Sequence, residues 1–178
     1  MSMHLKLSAA ALVLSLPFLA PPAWAAGGGG SEETTQTCKS GEVWDKNEKK
    51  CVAAKQGAVD DDSLYEGGRA LALAGRYGEA IAMLGLAADK SDPRILNYLG
   101  YSHRKAGRVE VGLGYYEEAL RADPDYTLAR EYMGEAYLSI GDVAAARGQL
   151  DEIEKRCGKG CAEYAELEKQ IDKAVKGI

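Results

Sequence analysis

The sequence predicts an all-α fold, a solenoid of about three helical hairpins followed by a C-terminal capping helix. Alanine, leucine, tyrosine and glycine recur at helical spacing from residue 61 to the C-terminus. Within this region three segments align on their turn glycines, Gly75, Gly107 and Gly141, which are spaced 32 and 34 residues apart. A period of this size, with a helix on each side of the glycine, is typical of stacked helical hairpins.

Glycine and proline set the predicted helix boundaries. The turn glycines separate the two helices of each hairpin. Asp92 and Pro93 supply an N-cap and a first-turn proline for one helix, whereas Asp123 and Pro124 end another. The predicted helices span residues 62–74, 77–88, 93–106, 109–122, 126–140 and 142–156. The corresponding repeats span residues 61–92, 93–126 and 127–158 and together form a repeat domain over 61–158.

A seventh helix is predicted near residues 161–176, within a capping segment over 159–178. It carries Tyr164, Leu167, Ile171 and Ala174 on one stripe, and its opposite face is charged. The end of a helical solenoid exposes apolar surface unless an atypical helix covers it. We therefore expect this helix to cap the repeats.

The first 25 residues have the pattern of a cleavable signal peptide. Lys6 precedes an apolar run over residues 7–20, and residues 23–25 form a small-residue cleavage site. The run is shorter than the ~18 residues that span a bilayer, so cleavage after Ala25 is expected rather than a retained anchor. The mature chain is predicted to be periplasmic or secreted, with no membrane span.

Residues 26–60 are predicted to be a flexible linker that contains one cysteine-bounded loop. Residues 26–37 are glycine and polar side chains with nothing to bury. The loop over residues 38–51, CKSGEVWDKNEKKC, resembles the opening of peritrophin-type carbohydrate-binding modules, C-x-x-G-x-x-[WF]-D. This resemblance implies glycan or cell-wall binding through Trp44, which is the alternative to a local knot that protects the linker.

Four cysteines follow the predicted cleavage site, which delivers them to an oxidising compartment. An even number there indicates two disulfides, and three pairings are formally open. We predict the local pairs, Cys38 with Cys51 and Cys157 with Cys161, because they need no contact between distant segments. We interpret the second pair as a staple at the entry to the capping helix, with a redox pair or a metal site as the open alternatives.

The repeats resemble the tetratricopeptide repeat (TPR) family, whose signature is W-x2-L-G-x2-Y, then A-x3-F and a terminal proline. The matching positions of the second repeat are Leu96, Leu99, Gly100, His103, Gly112, Tyr116 and Pro124. The glycine position recurs as Gly68 and Gly134. A glycine inside a helix costs roughly 1 kcal/mol, which close packing of the partner helix must offset.

In TPR proteins the first helices of successive hairpins line a concave groove that holds an extended peptide or a partner helix. The resemblance implies these groove residues: Tyr65, Arg69, Asn97, Tyr101, Arg104, Lys105, Glu131 and Glu135. Amide, phenol and guanidinium groups can hydrogen-bond a peptide backbone and a carboxylate, so we expect an acidic or C-terminal peptide as partner. The alternative is that Arg104 and Lys105 pair with Glu131 and Glu135 on the next groove helix.

The remaining composition argues against nucleic-acid binding and catalysis. A net charge of −5 without a basic stripe would repel a phosphate backbone. His103 is the only histidine after the signal peptide and stands where the family has a packing tyrosine, so no nucleophile–base set is present. We predict a non-enzymatic protein–protein interaction adaptor of the bacterial envelope, without cofactor or metal. Its partner is an unidentified protein or peptide, and a homo-oligomer is left open.

Overall fold

The structure, a computed structural model, describes residues 38–177. The predicted signal peptide, its cleavage site and the glycine-rich part of the predicted linker lie outside the described residues. The described elements are the strands β1 (Glu42–Asp45) and β2 (Lys50–Ala53), then the helices α1 (Asp61–Leu73), α2 (Tyr77–Leu84), α3 (Pro93–Lys105), α4 (Val109–Ala122), α5 (Thr127–Ser139), α6 (Val143–Cys157) and α7 (Ala162–Lys176).

The seven helices stack in two layers, which confirms the predicted all-α solenoid of three hairpins and a further helix. The odd-numbered helices contact one another in sequence order, α1 with α3, α3 with α5 and α5 with α7. The helices α2, α4 and α6 contact the odd-numbered layer but not one another. Because neighbours lie closer in the odd-numbered layer, that layer forms the inner side of the curved stack.

Glycines on the odd-numbered helices make this close stacking possible. A Cβ atom on Gly100 would lie 2.7 Å from ring carbon Cε1 of Tyr116 on α4. A Cβ atom on Gly134 would lie 2.6 Å from Cδ2 of Leu167, so α7 packs directly on α5. Gly68 is equally crowded by Leu84. Here the free-energy cost of a helical glycine is offset by the burial of a large side chain against it.

The second helix of the first hairpin is shorter than expected, because α2 ends at Leu84 and not at residue 88. Gly85 follows it, and a glycine weakens helix continuation. The carboxylate of Asp61 then accepts hydrogen bonds from the backbone N–H groups of Ala88 and Asp89, both at 2.8 Å. These bonds satisfy backbone N–H groups of the segment after α2, which follows a non-helical path. Asp92 caps α3, as the sequence predicts, by accepting from the N–H of Arg94.

The cysteine-bounded loop is a β-hairpin packed on α1, in a region where the sequence predicts a flexible linker. The strands pair antiparallel, with Val43 opposite Val52. Val43 is 1% exposed, and its Cγ2 atom lies 2.9 Å from where a Cβ atom on Gly67 would be. The N–H of Lys46 donates to the Ser63 hydroxyl at 3.3 Å. Residues 38–53 therefore cap the N-terminal end of the solenoid, opposite α7.

Both local cysteine pairs are bonded in the structure. Cys38 and Cys51 close the β-hairpin, with Cα atoms 5.7 Å apart. Cys157 and Cys161 join the end of α6 to the start of α7, with Cα atoms 5.9 Å apart. A carboxylate, Glu163, lies beside this second pair, but the sulfur atoms are bonded to each other and offer no thiolate to a metal.

The helix α7 covers the C-terminal end of the repeats with the apolar stripe that its sequence predicts. Tyr164, Leu167 and Ile171 are buried against Ile153 of α6, whereas Ala174, one turn later, is exposed. Among the described helices, none is long and apolar enough to cross a bilayer.

Candidate functional site

The inner side of the stack, here called the groove face, carries a strip of four tyrosines from α1, α3 and α5. The ring centroids of Tyr65 and Tyr98 lie 5.8 Å apart, and those of Tyr98 and Tyr101 lie 6.1 Å apart. Tyr132 follows on α5, with its centroid 5.1 Å from that of Tyr101. Edge-on and tilted ring contacts at these distances are favourable. These four residues form the tyrosine ladder.

Arginines of the α1–α3 half of the groove face have partners within the protein. The Nε atom of Arg69 donates to the Tyr98 hydroxyl at 3.1 Å. The guanidinium of Arg94 lies 4.8 Å from the centre of the Tyr65 ring and forms ion pairs with Asp62 at 2.8 Å and Asp92 at 2.6 Å. Hydrogen bonding to Arg94 lowers the pKa of Asp92. The positive charge of Arg94 is therefore locally compensated, whereas Arg69 is held by a neutral phenol.

Arg104 forms a buried link between α3 and α5. Its side chain is 8% exposed, and its Nη2 atom lies 2.6 Å from the Glu135 carboxylate. Its Nε atom donates to the Tyr116 hydroxyl at 3.3 Å. Burial opposes the charge, but Tyr116 and Glu135 together raise the pKa of Arg104. The alternative that Arg104 pairs with the next groove helix therefore holds for Glu135, and this arginine acts in packing rather than as an exposed contact.

Lys105 differs from Arg104 although it is the next residue. It is exposed, and its amine lies 5.6 Å from the centre of the Tyr101 ring. Within the described residues it forms no ion pair, so the predicted pairing of Lys105 with a groove carboxylate does not occur.

Asn97 is fully buried, although the sequence predicts it as a ligand contact. Neither its side-chain oxygen nor its nitrogen makes a hydrogen bond of good geometry in the part of the chain that the structure describes, and the nearby polar group is the Tyr126 hydroxyl, whose pKa the amide lowers. The cause is the central place of α3, which contacts α1, α2, α4 and α5 and has eight of its 13 residues buried. An amide left without partners in such a site is costly.

Glu131 occupies the corresponding position on α5 and is only 8% exposed. It forms no hydrogen bond or ion pair with any described residue, so its predicted pairing with Arg104 or Lys105 is not made. Burial, together with the neighbouring carboxylates Glu135, Glu163 and Glu166, raises its pKa to about 8. The side chain is therefore mostly a neutral acid at pH 7.

An open groove of about 420 Å³ lies between the C-terminal turns of α3, α5 and α7. Its lining residues are Arg104, Lys105, Glu135, Leu138, Ser139, Gln170, Lys173 and Ala174. The helix α7 thus forms one side of this groove and does not cover it.

The eight residues predicted for the site all lie on helices of the groove face, but their accessibility differs. Tyr65, Arg69 and Tyr101 are partly exposed and Lys105 is exposed. The buried members are Asn97, Arg104 and Glu131, whereas Glu135 is partly exposed. Sequence reasoning missed four further residues of the face: Tyr98, Tyr132, Gln170 and Lys173. The recurrence of tyrosine one place after Asn97 and after Glu131 is the signal that could have identified Tyr98 and Tyr132.

Of the hairpin residues that suggest glycan binding, Asp45 has a structural role. Asp45, 6% exposed, accepts hydrogen bonds from the N–H groups of Asn47 at 2.8 Å and Glu48 at 3.0 Å, and so closes the turn. Trp44 alternates with buried Val43 along the strand and is half-buried. Glycan binding through Trp44 stays a prediction.

His103 packs against neighbouring side chains. Its Nδ1 atom accepts a hydrogen bond from Arg108 at 3.0 Å, and its ring centroid lies 5.3 Å from that of Tyr115. Burial and the Arg108 charge lower the pKa of His103.

Comparison with known proteins finds a family match within the helical region. A family model described as tetratricopeptide repeat matches residues 98–160. The TPR repeat-containing thioredoxin TTL4 of Arabidopsis thaliana is 27% identical over 113 residues, which cover 62% of this chain but only 16% of that protein. The likeness therefore concerns a small part of the plant protein.

Solved structures share the fold at low identity. The TPR2B domain of yeast Sti1, in a complex with pHsp70, has a TM-score of 0.60 and 14% identity, covering 66% of this chain and 98% of that one. The second TPR domain of human RPAP3, in complex with an HSP70 peptide, has a TM-score of 0.55 and 20% identity over 64% of this chain and 95% of that one.

A bacterial structure is similar to the same degree. The Yersinia enterocolitica type III secretion chaperone SycD, in complex with a peptide of the translocator YopD, has a TM-score of 0.55 and 19% identity. The match covers 65% of this chain and 89% of the chaperone. The match to the family model over residues 98–160 shows that this chain contains tetratricopeptide repeats, and its stacked hairpins share the fold of the solved TPR domains.

Proposed function

We propose that this chain is a protein–protein interaction adaptor of the bacterial envelope that binds a peptide or a partner helix on its groove face. The observation that carries the proposal is the tyrosine ladder, an aromatic strip across three helices beside an open groove. Tyr98 of this strip is buried, and its other three members are partly exposed. Tyrosine rings offer a large contact area with few rotatable bonds, and their hydroxyl groups can bond a peptide backbone.

Export to the envelope is the second part of the proposal. It is supported by the signal-like first 25 residues and by the two disulfides that the four cysteines form. Disulfides persist in oxidising compartments and are rare in the cytosol.

Peptide binding is further supported by proteins of the same fold. The human RPAP3 domain and the Yersinia chaperone were solved with peptides. The preference for an acidic peptide that the sequence suggests loses part of its basis, since Arg104 is engaged by Glu135. We therefore propose a peptide partner without assigning it to Arg104.

Pools of degenerate peptides, tested for binding to the full chain, examine this function directly. We expect measurable binding that Tyr101→Ala weakens about tenfold or more, because truncating an aromatic anchor removes a large contact area. Tyr115→Ala is the matched control, since Tyr115 is a partly buried tyrosine of α4, in the outer layer. Equal binding by the two folded variants would remove the groove assignment, and the absence of binding by the wild type would remove the function.

A further inference from the structure

Three charged side chains are buried in the described part of the chain, namely Asp45, Arg104 and Glu131. Asp45 accepts turn N–H groups, and Arg104 has both Glu135 and Tyr116. Glu131 alone among these three has no hydrogen-bonding or ionic partner within the described residues. A buried acid without a partner offsets the cost of burial by keeping its proton, in agreement with the raised pKa of Glu131.

The surroundings of Glu131 are acidic. Glu135 stands on the same helix, and the charges of Glu163 and Glu166 on α7 add to its effect, since all three raise the pKa of Glu131. Arg104 is the positive group that acts on Glu131, but its guanidinium is already bonded to Glu135 at 2.6 Å. A cation placed here would therefore meet a carboxylate with unused acceptor capacity in a region of negative potential.

Lysines near Glu131 do not pair with it within the described residues. Lys169 pairs with Glu166 at 3.1 Å, and Lys159 lies 3.6 Å from Glu154. Lys105 and Lys173 line the open groove and are exposed, and neither forms an ion pair with Glu131. The Glu131 carboxyl group is therefore open to a cation from another molecule.

We propose that Glu131 binds a lysine or arginine side chain of the peptide that occupies the groove face. The assignment rests on the proposed peptide-binding function and adds a specificity: the peptide lies with its basic residue toward the α5–α7 side. Glu131 retains 8% exposure, so its carboxylate is shielded from bulk water and still open to an entering side chain. Shielding strengthens a charge-assisted hydrogen bond.

Binding of a cation at Glu131 should release a proton and depend on pH. Because its pKa is about 8 in the free protein, the acid is mostly protonated at pH 7 and must lose its proton to pair with a cation. The charged groups that act on it are Glu135 of α5 and Glu163 and Glu166 of α7, which raise its pKa, and Arg104 of α3, which lowers it. Cationic peptides should release about one proton on binding at pH 7, and their affinity should rise with pH up to about 8.

The test uses the full chain and pools of octapeptides that are degenerate except for one fixed position, occupied by arginine, lysine, glutamine or glutamate. We expect the arginine or lysine pool to bind about tenfold or more tightly than the glutamine pool. Glu131→Gln should remove this preference, so that the arginine and lysine pools bind no more tightly than the glutamine pool. Calorimetry in two buffers of different ionisation enthalpy should detect proton release with the wild type and none with this variant.

Glu163→Gln is the matched control, because it removes a carboxylate of the same patch that is half-buried rather than buried. It should keep most of the preference, and a loss equal to that of Glu131→Gln would contradict a specific site. An unchanged preference in Glu131→Gln, or a wild type that binds all pools alike, would overturn the inference and leave peptide binding intact. A wild type that binds none of the pools would instead refute the proposed function, and the inference with it.

Discussion

Asn97 on α3 and Glu131 on α5 stand at equivalent positions of adjacent repeats, and both are buried. The amide atoms of Asn97 are enclosed without a hydrogen bond among the described residues, whereas Glu131 keeps 8% exposure. Their chemistry differs. The amide is neutral at every pH, so its unmet hydrogen bonds carry a fixed cost, whereas the acid can gain or lose a proton and can attract a cation. In the α1–α3 half of the groove face, Arg94 is paired with two carboxylates of the protein, whereas our proposal assigns the cation at Glu131 in the α5–α7 half to a partner.

The largest expected effect concerns the residue between the two halves. Arg104→Met should lower the free energy of unfolding by about 3–5 kcal/mol, because Glu135 and Tyr116 would lose their common partner in a buried site. Lys105→Met, one residue away and exposed, should change it by less than about 0.5 kcal/mol. Urea unfolding of both variants measures the difference, and similar losses would show that the buried link does not join the halves.

A pH-dependent effect is expected for Glu131→Gln. The pKa of Glu131 in the folded protein, about 8, exceeds its ordinary value of 4.5. The folded state thus holds the proton more tightly, and the stability from this group is full below pH 4.5 and is lost as pH rises through 8. Glutamine, which stays neutral, should therefore stabilise the protein by about 2–4 kcal/mol at pH 9 and by almost nothing at pH 4.5. Denaturation curves at both values test this, and an effect independent of pH would contradict it.

Asn97→Leu sharpens the comparison from the other half. Replacing an amide whose hydrogen bonds are unmet with an apolar side chain of similar size should raise the free energy of unfolding by about 1–2 kcal/mol. The gain should be the same at pH 5 and pH 9, in contrast to Glu131→Gln. Thermal unfolding at the two pH values checks this, and a loss of stability would mean that the buried amide does have a partner.

The smallest effect is expected in the tyrosine ladder. Tyr98→Phe removes the hydroxyl that accepts a hydrogen bond from Arg69, and should cost about 0.5–1.5 kcal/mol. Tyr65→Phe serves as the control, because no hydrogen bond is made by its hydroxyl within the described residues. Chemical denaturation of the two variants gives the comparison, and an equal cost would remove the role assigned to the Arg69 contact.

Much of the fold follows from the sequence because it depends on local and periodic signals. The spacing of Gly75, Gly107 and Gly141 predicts the hairpins, and the four cysteines pair locally as their positions predict. The β-hairpin was not predictable in the same way. Its strands have four residues each, too short for a clear alternation, and its stability comes from the contact of Val43 with α1.

The candidate site was predictable in its location but not in its exposure. The repeat register predicts that Tyr65, Tyr101 and Glu131 face the groove. It does not predict how closely the next helix approaches them, and therefore how exposed they are. The burial of Asn97 depends on the four helices around α3, and the raised pKa of Glu131 depends on carboxylates of α7, a helix outside the repeat. These are tertiary effects that no local pattern contains.

The most direct test of the central claim is to map the contact surface of a peptide selected by the full chain. Backbone amide chemical shifts are recorded by NMR with and without the bound peptide. Binding on the groove face predicts that the perturbed residues cluster on α1, α3, α5 and α7. Perturbations confined to α2, α4 and α6, or to the β-hairpin, would contradict it.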